Sequence, residues 1–291
     1  MGMSRALVLG GGGPVGIGWE SGLAVGLTGE GIHFGEADMI VGTSAGSVVG
    51  AQLALAMDLS DGITQMAGAP LPVVEGSVGI EGLMVAMAEA AAGGGTPEEG
   101  RIIIGRVATE AKTVPEDVFL GAFDLVKGRA WPEAYACTAV DVETGDFQIW
   151  DSTSGVELQR AIASSCSVPG VFPPITIGGK RYMDGGMRTA LNADAAIGHD
   201  VVVAVSCFAL ALPEGMSDPM FDAVSAAIEA ELTRLRTAGA ALEVIAPSPE
   251  FLELSGWGLN LMDPTLAAAA FDVGVRQAAL EAERLRAVWK P

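Results

Sequence analysis

Ser44 stands in Gly42-Thr43-Ser44-Ala45-Gly46, a G-x-S-x-G pentapeptide that follows the apolar run Met39-Ile40-Val41 and opens the helix-like segment Ser47 to Met57. A serine at such a strand-to-helix bend projects its hydroxyl from the sheet edge, and Gly42 and Gly46 remove Cβ atoms that would clash in the turn. Ser44 is therefore a candidate nucleophile, set against the plainer reading of a turn that only joins two elements. Gly10-Gly11-Gly12-Gly13-Pro14-Val15-Gly16 lies between a short apolar run and a helix-like segment. Consecutive glycine N–H groups at a helix start form a concave donor site, which in acyl transfer would hold the oxyanion of the tetrahedral intermediate. Pro14 has no N–H, so the donors come from Gly11, Gly12 and Gly13.

The third chemical element is Asp184-Gly185-Gly186. A serine hydroxyl needs a proton acceptor, most often a histidine oriented by a carboxylate. The chain has two histidines. His33 precedes the predicted strand Asp38 to Gly42 and His199 precedes Val201 to Ser206, so in a parallel sheet both sit at the strand-starting edge. Ser44 and the glycine run sit at the other edge, ~15 Å away at ~3.3 Å per residue. The base is then a carboxylate, and Asp184 is the best placed, because Gly185 and Gly186 allow close backbone approach to the serine turn. Asp141, Asp151 and Asp194 are held in reserve, each also readable as a turn or cap residue.

Gly11, Gly13 and Gly16 also match G-x-G-x-x-G, the dinucleotide fingerprint. That reading needs an acidic residue closing the second strand, whereas this strand closes with Gly42-Thr43-Ser44 and Glu36 precedes it. Nicotinamide or flavin binding therefore ranks below the oxyanion role.

These residues need a scaffold, and short aliphatic runs alternating with alanine-rich segments predict a largely parallel sheet flanked by helices. Strands are expected at Arg5 to Gly10, Asp38 to Gly42, Val201 to Ser206 and Leu242 to Ala246. Two hairpins are expected, Tyr135 to Trp150 around Gly145 and Ile175 to Met183 around Gly178-Gly179. Helices are expected over Ile17 to Glu30, Val48 to Met57, Leu83 to Ala92, Val156 to Ser164, Asn192 to Gly198 and Thr265 to Trp289. Met84 and Met87 read as ordinary core more than as an acyl pocket. The stretch 59–134 reads as a cap or insertion, and the terminal helix as packing on its own domain.

The formal charge of −20, from 36 acidic and 16 basic residues, disfavours nucleic acid and anionic lipid. Cys137, Cys166 and Cys207 lack disulfide or zinc spacing and read as small buried hydrophobes. No leader and no apolar run near ~20 residues is seen, so a cytoplasmic protein without a transmembrane segment is expected.

The glycine run, G-x-S-x-G and D-G-G, in that order and with Pro169 to Pro174 ahead of the aspartate strand, resemble the patatin-like phospholipase family over about residues 6–206. The resemblance implies a single domain over 1–291, three layers α/β/α around a mostly parallel sheet, with 207–291 packed on the core. It implies a lipid acyl hydrolase, of phospholipase A or esterase type, acting on lipid or small esters through a Ser44–Asp184 dyad. Gly11, Gly12 and Gly13 become the oxyanion region, and neither metal nor organic cofactor is expected. Contact with a membrane surface would be transient. Pro14-Val15 stands where the family carries a small residue and then Arg or Lys, which points away from a phosphorylated headgroup. The alternative from another class is a non-catalytic lipid-binding or interaction protein on the same scaffold.

Overall fold

A computed structural model describes residues 2–61, 63, 74–212 and 218–289; residues 64–73 of the expected insertion lie outside the described set. In chain order the elements are β1 (Arg5–Leu9), α1 (Gly13–Gly29), β2 (Met39–Gly42), α2 (Ala45–Ala54), α3 (Gly79–Ala92), α4 (Pro97–Glu110) and α5 (Glu116–Gly121). They continue as β3 (Tyr135–Asp141), β4 (Phe147–Trp150), α6 (Leu158–Ser165), β5 (Ile175–Ile177) and β6 (Lys180–Asp184). The last are β7 (Val201–Val205), α7 (Pro219–Thr237), β8 (Ala241–Ile245), α8 (Pro249–Leu254) and α9 (Ala267–Val288). Two compact units result, Met1–Pro70 with Thr189–Pro291, and Leu71–Arg188.

In the first unit β1 pairs in parallel with both β2 and β7, and β7 with β8. Every residue of β7 is buried, which explains its unbroken apolar run: a strand covered on both faces has no polar side to alternate with. One face presents Ala6, Val8, Val202 and Ala204 to Ile228, Leu232 and Leu235 of α7. Leu7, Leu9, Val203 and Val205, of opposite parity, are equally buried, on the side where α1, α2 and α9 pack together.

In the second unit both expected hairpins form: β3 pairs antiparallel with β4 and with β6, and β5 with β6. Gly145, Gly178 and Gly179 take positive φ at the tips, where a Cβ would be strained. Helix α4 starts with a full capping box, Thr96 against Glu99, two helix-end donors satisfied at once. Leu83 and Ala86 of α3 join a cluster with Ile104, Val140 and Met183, and Met87 packs on it. Met84 is 40% exposed, so only one of the two methionines meets the core expectation; position 84 lies about 100° around the helix from its buried neighbour Leu83.

The fold is mixed α/β with a mostly parallel central sheet flanked by helices. The segment after Asn192 is a short 3-10 turn, Ala193–Ala196, rather than an α-helix, and it stops where Ile197 becomes extended (ψ 132) and Gly198 takes φ 106. Helix α9 begins at Ala267, after a 3-10 turn Pro264–Leu266 capped by the Asp263 side chain.

Candidate active site

Between β2 and α2 the chain bends at Ser44, which holds φ 51 and ψ −116 as the residue capping α2. A non-glycine residue there carries local strain, and the surrounding structure over-determines it. A Cβ on Gly42 would fall 2.4 Å from the Ser47 Cα, and one on Gly46 would fall 2.2 Å from the Leu9 carbonyl oxygen. Neither position admits a side chain. The Ser44 carbonyl accepts from the Ser47 N–H at 2.9 Å and the Ser47 hydroxyl at 2.6 Å. Ser44 is 8% exposed.

The glycine run adjoins this bend. The Gly46 N–H donates to the Gly10 carbonyl at 2.9 Å, and a Cβ on Gly11 would lie 3.5 Å from the Ser44 Cβ. The glycines divide by their bonds. Gly10 donates to the Val205 carbonyl at 3.0 Å and Gly11 to the Ala190 carbonyl at 2.7 Å, so the Gly11 N–H expected to serve an oxyanion is already committed. Gly12 caps α1 and Gly13 is its first residue, ahead of the first turn's bond, Gly16 N–H to the Gly12 carbonyl at 2.7 Å. Their N–H groups are thus among the donors that a helix start leaves without an intrahelical acceptor. Val15, the next residue with an N–H, donates to the Leu261 carbonyl at 3.2 Å.

Asp184 belongs to the second unit, where it ends β6 opposite Ala139 of β3. Its side chain accepts from the Gly186 N–H at 2.7 Å and caps the 3-10 turn Gly185–Met187. A Cβ on Gly185 would sit 2.2 Å from the Thr138 hydroxyl oxygen, so the first glycine of the motif lets the turn lie on β3. Asp184 is 2% exposed.

The parallel pairing of β2, β1 and β7 places His33, ahead of β2, and His199, ahead of β7, at the strand-starting edge, and Ser44 at the opposite one. Four to five residues of strand, about 15 Å, separate them. His33 is exposed, and the His199 ring sits 3.1 Å from the Ala196 carbonyl. Glu36 is also at the starting edge, in the 3-10 turn before β2, so the acidic residue a bound ribose needs at the end of β2 is not supplied by it.

The reserve carboxylates serve turns. Asp141 is held below the usual carboxylate range: its burial is outweighed by hydrogen bonds from the Glu143 and Thr144 N–H groups and from Lys180. Asp151 is lowered chiefly by the Thr153 hydroxyl, and Asp194 pairs with Arg234 at 3.1 Å.

Three supporting groups escaped sequence reading. The Asn192 side chain donates to the Thr43 hydroxyl at 3.1 Å, one residue before the serine. The Thr189 hydroxyl donates to buried Glu231 at 2.6 Å and accepts from the Asn192 N–H at 2.9 Å, and Glu231 also accepts from the Ala193 N–H. The Leu261 carbonyl and Met262 sulfur confine Gly13, where a Cβ would meet them at 2.5 and 2.9 Å. Thr189 and Asn192, five and eight residues after D-G-G begins, were marked in the sequence by proximity to a motif.

No curated protein matches the chain. Among solved structures it is similar to VipD from Legionella pneumophila, at 13% identity and TM-score 0.45, over 97% of this chain and 67% of that one. It is also similar to the type III effector protein ExoU, at 17% identity and TM-score 0.35, over 96% of this chain and 54% of that one. The chain thus spans about two thirds and about half of their lengths. The stronger finding is a family model, patatin-like phospholipase, which matches residues 7–197 and so takes in the serine bend, the glycine run and D-G-G. The chain belongs to the patatin-like phospholipase family.

Proposed function

We propose that this protein is a serine hydrolase of lipid or other carboxylic acyl esters. The observation that carries the reading is Ser44 at φ 51, held on a strand-to-helix bend against Gly11. In this reading the Ser44 oxygen attacks the ester carbonyl while its proton passes to Asp184. The carbonyl oxygen becomes an oxyanion that accepts from the Gly12 and Gly13 N–H groups, with Gly11 lining the space. Collapse expels the alcohol, which takes the proton from Asp184, and leaves an acyl-Ser44 ester. Water then attacks that ester by the same route, releasing the carboxylic acid and restoring the serine. The mechanism requires the Asp184 carboxylate to reach the Ser44 hydroxyl.

A fluorophosphonate probe followed by peptide mapping tests this, with p-nitrophenyl and lipid esters assayed in parallel. Labelling at Ser44 is expected, with hydrolysis lost in Ser44→Ala and reduced by about 10³-fold or more in Asp184→Asn. A chain that binds fatty acid but is neither labelled nor active is a lipid-binding protein, and the hydrolase reading falls. Full activity in Asp184→Asn removes Asp184 from the mechanism.

A further inference from the structure

Glu20, on α1 one turn after Gly16, is 1% exposed. Its Oε1 accepts from the Cys207 thiol at 3.7 Å, and its Oε2 has no hydrogen-bond partner among the described residues. The same thiol is wedged under the glycine run: a Cβ on Gly12 would lie 2.5 Å from the Cys207 Sγ, and one on Gly16 would lie 3.0 Å from it. Glu20, Cys207 and Gly12 therefore form a continuous stack that ends at a donor of the proposed oxyanion site.

An ionised carboxylate in this place would be a buried charge facing the weak Cys207 S–H donor and a Gly10 N–H already given to the Val205 carbonyl, which costs several kcal/mol. A neutral carboxylic acid carries no such penalty. We propose that Glu20 is a positioning residue, a protonated carboxyl that props the glycine run through Cys207 and so sets the Gly12 and Gly13 N–H groups. The proposal rests on the hydrolase reading above for its effect on chemistry, but not for the protonation.

Burial holds the Glu20 carboxyl well above its ordinary range, with the Cys207 thiol and the Gly10 N–H opposing in part. Burial likewise raises the Cys207 thiol, and Glu20 adds to the shift. Cys207 is the titratable group facing Glu20. The glycine run brings only backbone, and α2 contains no titratable residue. On α9, Arg276 pairs with Glu250, Arg284 with Glu243 and Glu281, and Arg286 with Glu30. Asp272 lines a surface cleft with Glu250, and Glu283 is exposed.

The unfolded chain releases the Glu20 proton near pH 4.5 while the folded chain keeps it, so the contribution to stability is complete below that pH and declines as pH rises. Glu20→Gln keeps a neutral planar group and has no proton to release.

The test compares the wild-type protein with Glu20→Gln and Glu20→Ala, by melting temperature and by fluorophosphonate labelling of Ser44, from about pH 5 to about pH 9. The melting temperature of Glu20→Gln is expected to gain on wild type steadily as pH rises. Its labelling rate should stay within about twofold of wild type at about pH 6 and show less alkaline decline. Glu20→Ala, assayed where it remains folded, should lower kcat about tenfold with KM little changed, as expected when oxyanion donors shift. A melting difference between wild type and Glu20→Gln that is independent of pH would overturn the protonated prop. So would parallel labelling profiles in the two proteins. Wild type that is never labelled sinks the hydrolase reading instead, and the melting series alone then decides the prop.

Discussion

Gly12 is the residue on which the sulfur of Cys207 bears most closely. Its φ is −173, extended backbone open to any residue, so the demand for glycine there is spatial: a Cβ would press on the Cys207 sulfur and Cβ at 2.5 and 2.8 Å. Gly12→Ala is expected to displace the loop and cut kcat by about 10²-fold, while Ser44, one strand away, still reacts slowly with a fluorophosphonate. Unchanged kcat in that variant would separate the loop from the chemistry. The bend at Ser44 was legible in the sequence because its cause is local, five residues whose glycines have no alternative use. The division of labour among Gly11, Gly12 and Gly13 was not, because what occupies the Gly11 N–H is a carbonyl at Ala190, far along the chain. Glu20 was invisible for the same reason: a glutamate within a helix reads as solvent-facing until its neighbour at position 207 is known.

At the scale of elements, α1 and α9 approach closely enough for backbone to meet backbone, with the Trp19 indole donating to the Gln277 side chain across the same contact. Cβ atoms on Gly18 and Gly22 would fall 2.2 and 2.0 Å from the Ala267 and Phe271 carbonyl oxygens, and one on Gly26 would fall 2.6 Å from the Ala278 Cβ. Gly274 of α9 returns the contact, 2.2 Å from the Trp19 carbonyl oxygen. Gly22→Ala should therefore destabilise the protein by about 1–3 kcal/mol or more. Gly29→Ala, at the end of the same helix with no atom within 4 Å of its Cβ position, should be neutral or slightly stabilising. Denaturant midpoints for the two variants would check the contrast. The spacing of Trp19, Leu23 and Leu27 revealed α1 but not this face, since glycine contributes nothing to a hydrophobic period. Helix α7 was missed for a related reason. Its inward face carries Glu231 beside Ile228, Leu232 and Leu235, a buried carboxylate that interrupts the apolar pattern and accepts from Thr189 and the Ala193 N–H.

For the whole molecule the governing quantity is the charge of −20. No helix among the described residues is long and apolar enough to cross a membrane. Leu259 and Trp257 are 84% and 45% exposed. Encounter with a lipid surface would therefore rest on apolar contact against an electrostatic background that opposes anionic headgroups. Hydrolysis of esters in anionic vesicles is expected to rise as salt increases from about 0.02 to about 0.3 M, while zwitterionic vesicles show little change. A fall with salt on anionic vesicles would mean that a local cationic patch dominates. The family match ends at residue 197, yet Gly18, Gly22 and Gly26 inside it are keyed to α9, which begins at Ala267. A chimera that borrowed only the matched stretch would carry three empty notches along its first helix, directly behind the loop it was built to transplant.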